Sequence, residues 1–293
     1  MTAVDLACVG ESFEDLIFAG LERLPKLGEE LRTKSCVRTS GGGTTITAVA
    51  AARLAVRTQI VSALSDGATA RLRAEGVLVT NLKKKHEQHA ITAALSTPHD
   101  RAFATFDGVN AVLQPRLLKR LETVQARIVH LALCPRAIKP LVEAVKKLRA
   151  RGVLVSIDSG YDLDLARDQR LPELMAEVDF VLVNEAEATL YSKRTTLLRA
   201  EAYWKDHARN TVIKIGAKGS RWISQKGLIE EAAPKVRAVD TTGAGDAFNA
   251  GFLSGLLSGL SPRRALRLGN VVGARSTRAI GGLDGLPRLE ELP

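Results

Sequence analysis

The sequence predicts an α/β fold in three layers, α-β-α, built on a doubly wound, mostly parallel sheet, with a small separate β layer. Three observations predict it. From residue 128 onward, short apolar runs alternate with helix-length runs, which is the pattern of successive βα units. Segments 11–40 and 86–106 hold strand-like pieces with no long helix between them, so they fall outside that sheet. Aromatic residues make up only 4% of the 293 residues while 45% are hydrophobic, so small aliphatic side chains carry the core. That length buries a sizeable core, and 1–293 is expected to form one α/β domain carrying the small layer.

Each element has its own reason. Leu6–Val9 is an apolar strand ending at Gly10. Gly41-Gly42-Gly43 opens an Ala-rich helix over Thr45–Leu54. Ile60–Leu64 is a strand, Asp66-Gly67 a turn and Ala68–Glu75 a helix. Ile91–Leu95 and Ala102–Phe106 alternate and read as a hairpin. Ile128–Leu133, Val153–Ile157, Phe180–Val183 and Thr211–Ile215 are buried parallel strands. Between them lie helices at Ala137–Arg149, Leu171–Glu177, Ala186–Tyr191 and Thr196–Asp206. Ala247–Leu260 is a helix too short to cross a bilayer. Its Gly251, Gly255 and Gly259 stripe makes a smooth face for close packing, expected against the sheet.

The net charge of +10 is spread along the chain, with Lys83-Lys84-Lys85 the one tight basic cluster and no aromatic platform beside it. That argues against nucleic acid as the partner and fits a field that attracts phosphorylated ligands. Three cysteines, Cys8, Cys36 and Cys134, offer neither a disulfide framework nor a zinc site. No membrane partner is expected, and a reducing cytoplasm fits. His86-x-x-His89 sits in a polar stretch beside the Lys run and reads as a solvated loop.

Ligands in such sheets bind at the carboxyl ends of the strands. Asp158, Asn184, Glu187 and Gly216-Ala217-Lys218-Gly219 all fall there. Asn184 and Glu187, one helical turn apart, could hold Mg²⁺ through water, or simply cap the helix. Lys214, inside an apolar strand, calls for an anion at the strand end, or for an edge position in solvent. Asp240-Thr241-Thr242-Gly243-Ala244-Gly245-Asp246-Ala247-Phe248 combines a small-residue turn, a helix start and a carboxylate. The N–H groups of Gly243, Ala244, Gly245 and Asp246 would be unpaired donors for an anion. Asp246 could take a proton from a group attacking that anion, with its own pKa lowered by the helix N-terminus. The bland alternative is a turn and a capping Asp.

The nine-residue run resembles the signature of the ribokinase-like, or PfkB, carbohydrate kinases almost letter for letter. The resemblance extends over essentially the whole chain and implies a ribokinase-like fold whose β layer is a lid. It implies substrate contacts at Asp15, Gly41, Gly42 and Arg101, the last in Asp100-Arg101-Ala102-Phe103. It implies ATP contacts at Asn184, Lys214, Gly216, Lys218, Gly219 and Asn270. Mg²⁺ would lie near Glu187, and Asp240 and Thr242 would lie where many members bind a monovalent cation such as K⁺. Catalysis would rest on Asp246 with Gly243, Ala244 and Gly245. A homodimer through the lid is expected. Two positions depart from the pattern. Ile46 stands where an Asn usually touches sugar hydroxyls, and Phe13 where ribokinases place a polar residue. Three functions stay open: a sugar kinase, a nucleoside kinase of the same family, and a silent sugar-binding or regulatory homologue.

Overall fold

The computed structural model describes residues 3–97 and 101–292. In chain order the strands are β1 (Val4–Gly10), β2 (Phe13–Ala19), β3 (Ser35–Gly41), β4 (Thr58–Ser62), β5 (Leu78–Asn81), β6 (Ile91–Ser96) and β7 (Arg101–Phe106). They continue with β8 (Ala126–Ala132), β9 (Leu154–Asp158), β10 (Phe180–Asn184), β11 (Asn210–Lys214), β12 (Ser220–Ser224) and β13 (Gly227–Glu231). The helices are α1 (Gly43–Arg53), α2 (Asp66–Ala74), α3 (Gln114–Leu121), α4 (Ile138–Ala150) and α5 (Leu163–Arg167). After them come α6 (Leu171–Glu177), α7 (Glu185–Ser192), α8 (Leu197–His207), α9 (Ala244–Leu257) and α10 (Pro262–Ser276).

Nine strands form the large sheet, in the order β13-β12-β11-β10-β9-β8-β1-β4-β5. From β11 to β5 every pair is parallel, and the β12–β13 hairpin closes one side antiparallel. The central strands are apolar along their whole length because helices cover both faces. One face packs on α3, α4, α6 and α8 through Leu121, Leu141, Leu174 and Trp204. The other packs on α1, α2, α9 and α10 through Val49, Leu72, Phe252 and Leu266. Register lines up Gly10 with Ala132, Ala132 with Asp158, and Asn184 with Lys214 along one rim of the sheet.

The small sheet has the order β3-β2-β6-β7, with β2 and β6 parallel and the outer pairs antiparallel. Ile17 and Ala94 are its buried side chains, whereas Phe103 and Phe106 are more than half exposed.

Leu78–Asn81 adds an edge strand to the large sheet beside β4. Two expectations need correction. The glycine stripe of α9 faces a helix, not the sheet. A Cβ at Gly251 would meet Leu268 O at 2.8 Å, and one at Gly255 would meet Ala265 Cα at 2.9 Å. Small residues are needed because two helix backbones touch there. His89 is buried, with its Nε2 3.1 Å from Ala63 O, so that stretch is not simply solvated. No described helix is long and apolar enough to cross a membrane.

Candidate active site

The run 240–248 forms a loop and the first turns of α9. Gly243 is the residue before the helix and adopts φ 72°, a conformation that favours glycine. No side chain caps this helix. The N–H of Ala244 bonds Thr241 O at 3.2 Å, so it is not a spare donor as the sequence suggested. The N–H groups of Gly243, Gly245 and Asp246 find no protein acceptor among the described residues. The loop therefore offers three open N–H donors rather than four.

Asp246 hangs at the edge of this loop. Its Oδ1 lies 2.9 Å from where a Cβ would sit on Gly43, so only glycine leaves it room. Thr47 Oγ1 donates to Asp246 O at 3.2 Å and ties α1 to α9. The sequence suggested a lowered pKa, and here the structure differs. Removal from water pushes the Asp246 carboxyl up to about 7, with Asp158 nearby adding to the rise and Lys214 opposing it. Desolvation and neighbouring carboxylates outweigh the helix terminus.

Lys214 is not an edge residue, because β11 lies between β10 and β12. Its Nζ donates to Asp158 Oδ2 at 2.6 Å and to Asn249 Oδ1 at 3.3 Å. Asn249 Nδ2 donates to the same Asp158 oxygen at 2.7 Å. The anion that Lys214 calls for is thus internal. Asn249, one turn after Asp246 in an apolar helix, is a site residue the sequence reading missed. A lone amide within Ala247–Leu260 was the available signal.

Asn184 and Glu187 make a reciprocal capping box. Asn184 Oδ1 accepts from Glu187 N at 2.9 Å, while the Glu187 carboxylate accepts from Asn184 N at 2.8 Å and Nδ2 at 2.7 Å. Burial, with Asp158 nearby, raises the Glu187 pKa. Among the described residues no three His, Cys, Asp or Glu side chains are grouped to cage a metal.

Asp15 presses on Gly41, where a Cβ would lie 1.8 Å from its Oδ2. Phe13 covers Gly42 in the same way at 2.8 Å. Burial lifts Asp15 to about 6. Glu11, at the end of β1, rises to about 7, mainly by burial, with the Cys134 N–H and Arg136 opposing. Arg136 pairs with Asp107 at 2.7 Å. Ile46 does not present a polar group to this space. It is 2% exposed, and its Cδ1 would lie 2.6 Å and 2.5 Å from Cβ atoms on Gly243 and Gly282. Asp100 and the Arg101 side chain lie outside the described residues.

Asp240 and Asn270 are held by hydrogen bonds within the protein. Asp240 Oδ1 accepts from Thr242 N at 2.9 Å and Thr242 Oγ1 at 2.7 Å, and its Oδ2 accepts from Gly281 N at 2.8 Å. Asn270 Nδ2 donates to Glu231 O at 2.9 Å, so the amide faces β13 rather than an open cleft. Gly219, with φ 109°, approaches the same segment, where a Cβ would lie 2.1 Å from Glu231 O. Gly216 and Lys218 are exposed on the short turn after β11.

The model of the pfkB family carbohydrate kinases matches residues 4–289. The chain belongs to that family, and it is a kinase of the sugar and nucleoside type. It is 26% identical to the ribokinase of Arabidopsis thaliana over 97% of this chain and 79% of that protein. The solved structure of that ribokinase, complexed with ribose and ATP, superposes with a TM-score of 0.78 at 24% identity, covering 99% of this chain and 97% of the other. The nucleoside kinase of Methanocaldococcus jannaschii is 25% identical over 98% of this chain and 95% of that protein. The adenosine kinase of Sinorhizobium meliloti has the same fold, with a TM-score of 0.84 at 23% identity and 96% of each chain covered. The ribokinase-like α/β fold with a small separate sheet is thus as the sequence implied.

Proposed function

We propose that the protein transfers the γ-phosphoryl group of ATP to a hydroxyl of a small sugar or sugar-like acceptor, with Asp246 as general base. The observation that carries this reading is Asp246 itself: a carboxyl lifted to about 7, beside an anion cradle of N–H donors and facing Gly43. In this reading the acceptor oxygen attacks the γ-phosphorus, its proton passes to Asp246, and the bond to the β,γ-bridging oxygen breaks with its electron pair leaving on ADP. The N–H groups of Gly243, Gly245 and Asp246 stabilise charge on the group in flight. Mg²⁺, when bound, neutralises phosphate charge, and Glu187 with Asn184 would hold its water shell. Asp15, Gly41, Gly42 and Arg101 would orient the acceptor, and Gly216, Lys218 and Gly219 the nucleotide. Asp240 and Thr242 would order a monovalent cation, which a comparison of turnover in K⁺ and tetramethylammonium salts tests.

Asp246→Asn is the decisive variant. ADP release with an acceptor found by screening should fall by about 10²–10⁴ or more, while ATP binding by calorimetry persists. Near-normal turnover would remove Asp246 from the role. A second reading, a nucleoside acceptor, is favoured by the apolar Phe13 over Gly42 and by Ile46 in place of a polar group. A thermal-shift screen of free sugars beside nucleosides separates the two. Exposed Phe103, Phe106 and Ile91 support pairing of two copies through the small sheet, which light scattering would measure.

A further inference from the structure

Lys214 has an arrangement that its role as a nucleotide contact does not by itself explain. An ammonium carries three N–H donors. Two are taken, by Asp158 Oδ2 at 2.6 Å and Asn249 Oδ1 at 3.3 Å. Asn249 also donates to Asp158, so the three side chains close a triangle in which each fixes the other two. All three are largely withdrawn from solvent: the Lys214 and Asp158 side chains are 12% and 11% exposed, and Asn249 is fully buried. Nζ lies 3.3 Å from the place a Cβ would take on Gly245, directly beneath the anion cradle. A glycine there keeps the third side of the ammonium clear. A long, flexible lysine is thereby given one fixed direction, which removes the main weakness of Lys as an anion ligand.

We propose that Asp158 and Asn249 are positioning residues that hold the Lys214 ammonium under the Gly245 peptide, with its third N–H reserved for the γ-phosphoryl group of the nucleotide. This rests on the reading of the 240–248 loop as the transfer site. During transfer the phosphoryl oxygens gain no proton from Lys214. They gain a charge-assisted hydrogen bond from a cation already in place, and the leaving electron pair goes to ADP. The carboxylate of Asp158 balances the ammonium charge, so Lys214 can stay buried without an anion bound.

The test compares a ground-state with a transition-state mimic in the full-length protein. ADP alone, and ADP with Mg²⁺ and aluminium fluoride, are titrated into wild type, Lys214→Met, Lys214→Arg and Asn249→Ala. In wild type, aluminium fluoride should tighten ADP binding. Lys214→Met should lose about 10-fold or more of that tightening beyond any loss of ADP affinity. Asn249→Ala, which keeps the ion pair, should lose a smaller part, and Lys214→Arg should recover some of it. A folded Lys214→Met that keeps the wild-type ratio overturns the proposal. If Lys214→Met does not fold, an unchanged ratio in Asn249→Ala overturns it instead. Asp246→Asn runs in parallel. It should bind ADP–aluminium fluoride yet fail to turn over ATP, so normal turnover would sink the base assignment without deciding the role of Lys214.

Discussion

The two halves of the cleft are built on opposite plans. On one side, Lys214, Asp158 and Asn249 bond one another and Asn184 bonds Glu187, with Asp158, Asn184 and Lys214 at the ends of central strands. On the other side, Glu11 follows β1 and Asp15 lies within β2 of the small sheet. Burial raises the proton affinity of both. The first group is fixed by its own hydrogen bonds, whereas the two acids of the second are marked mainly by their burial.

The sharpest way to break this contrast is Asp158→Asn. It leaves the Lys214 ammonium buried without its counter-ion and should cost about 3–5 kcal/mol in denaturant unfolding. Asp15→Asn, on the other side, should not destabilise the fold at neutral pH. Equal losses at the two sites would erase the distinction. Ile46→Asn comes next. It places an amide against two glycine backbones in a dry contact and should cost about 2–3 kcal/mol by the same measurement.

A pH series sharpens the contrast. The folded pKa values of Asp246, Glu11 and Asp15 are raised from 3.8, 4.5 and 3.8 to about 7, 7 and 6. Between about pH 4 and 7 the native state therefore binds more protons than the unfolded chain. Stability from these groups is fully present below the unfolded values and falls as pH rises through the folded ones. The unfolding midpoint should be higher at pH 5.5 than at pH 8. Glu11→Gln should flatten that slope by on the order of 1–2 kcal/mol. The same protonation should make turnover fall below about pH 7, where Asp246 loses its basic form. The smallest effect is expected from Phe106→Ser on the exposed lid face, within about 0.5 kcal/mol for the folded chain.

Much of this was legible in the sequence, and the boundary is physical. Strands covered on both faces announce themselves as apolar runs, so most of the parallel sheet could be read. The 240–248 run was legible because its chemistry is local: a glycine at positive φ, a helix start and a carboxylate within one turn. The Lys214–Asp158–Asn249 triangle was not, because its members lie 56 and 35 residues from Lys214 and meet only through strand register and helix docking. The proton affinity of Asp246 was misread for a related reason. A helix terminus is visible in sequence, but burial and the approach of Asp158 are tertiary. The hydrogen bond from the Asn270 amide to Glu231 O was likewise hidden, because 39 residues separate the two.

The contact of Ile46 with Gly243 and Gly282 also limits how the chain can change over time. One branched side chain limits the residue type at Gly282 and adds to the demand that the positive φ already makes at Gly243, so the three change together. Gly282→Ala should be accepted only in a background that already carries Ile46→Ala, and not in the reverse order. A library randomised at 46 and 282 together would display this as epistasis, with survivors trading bulk between the two positions while their summed volume stays nearly constant.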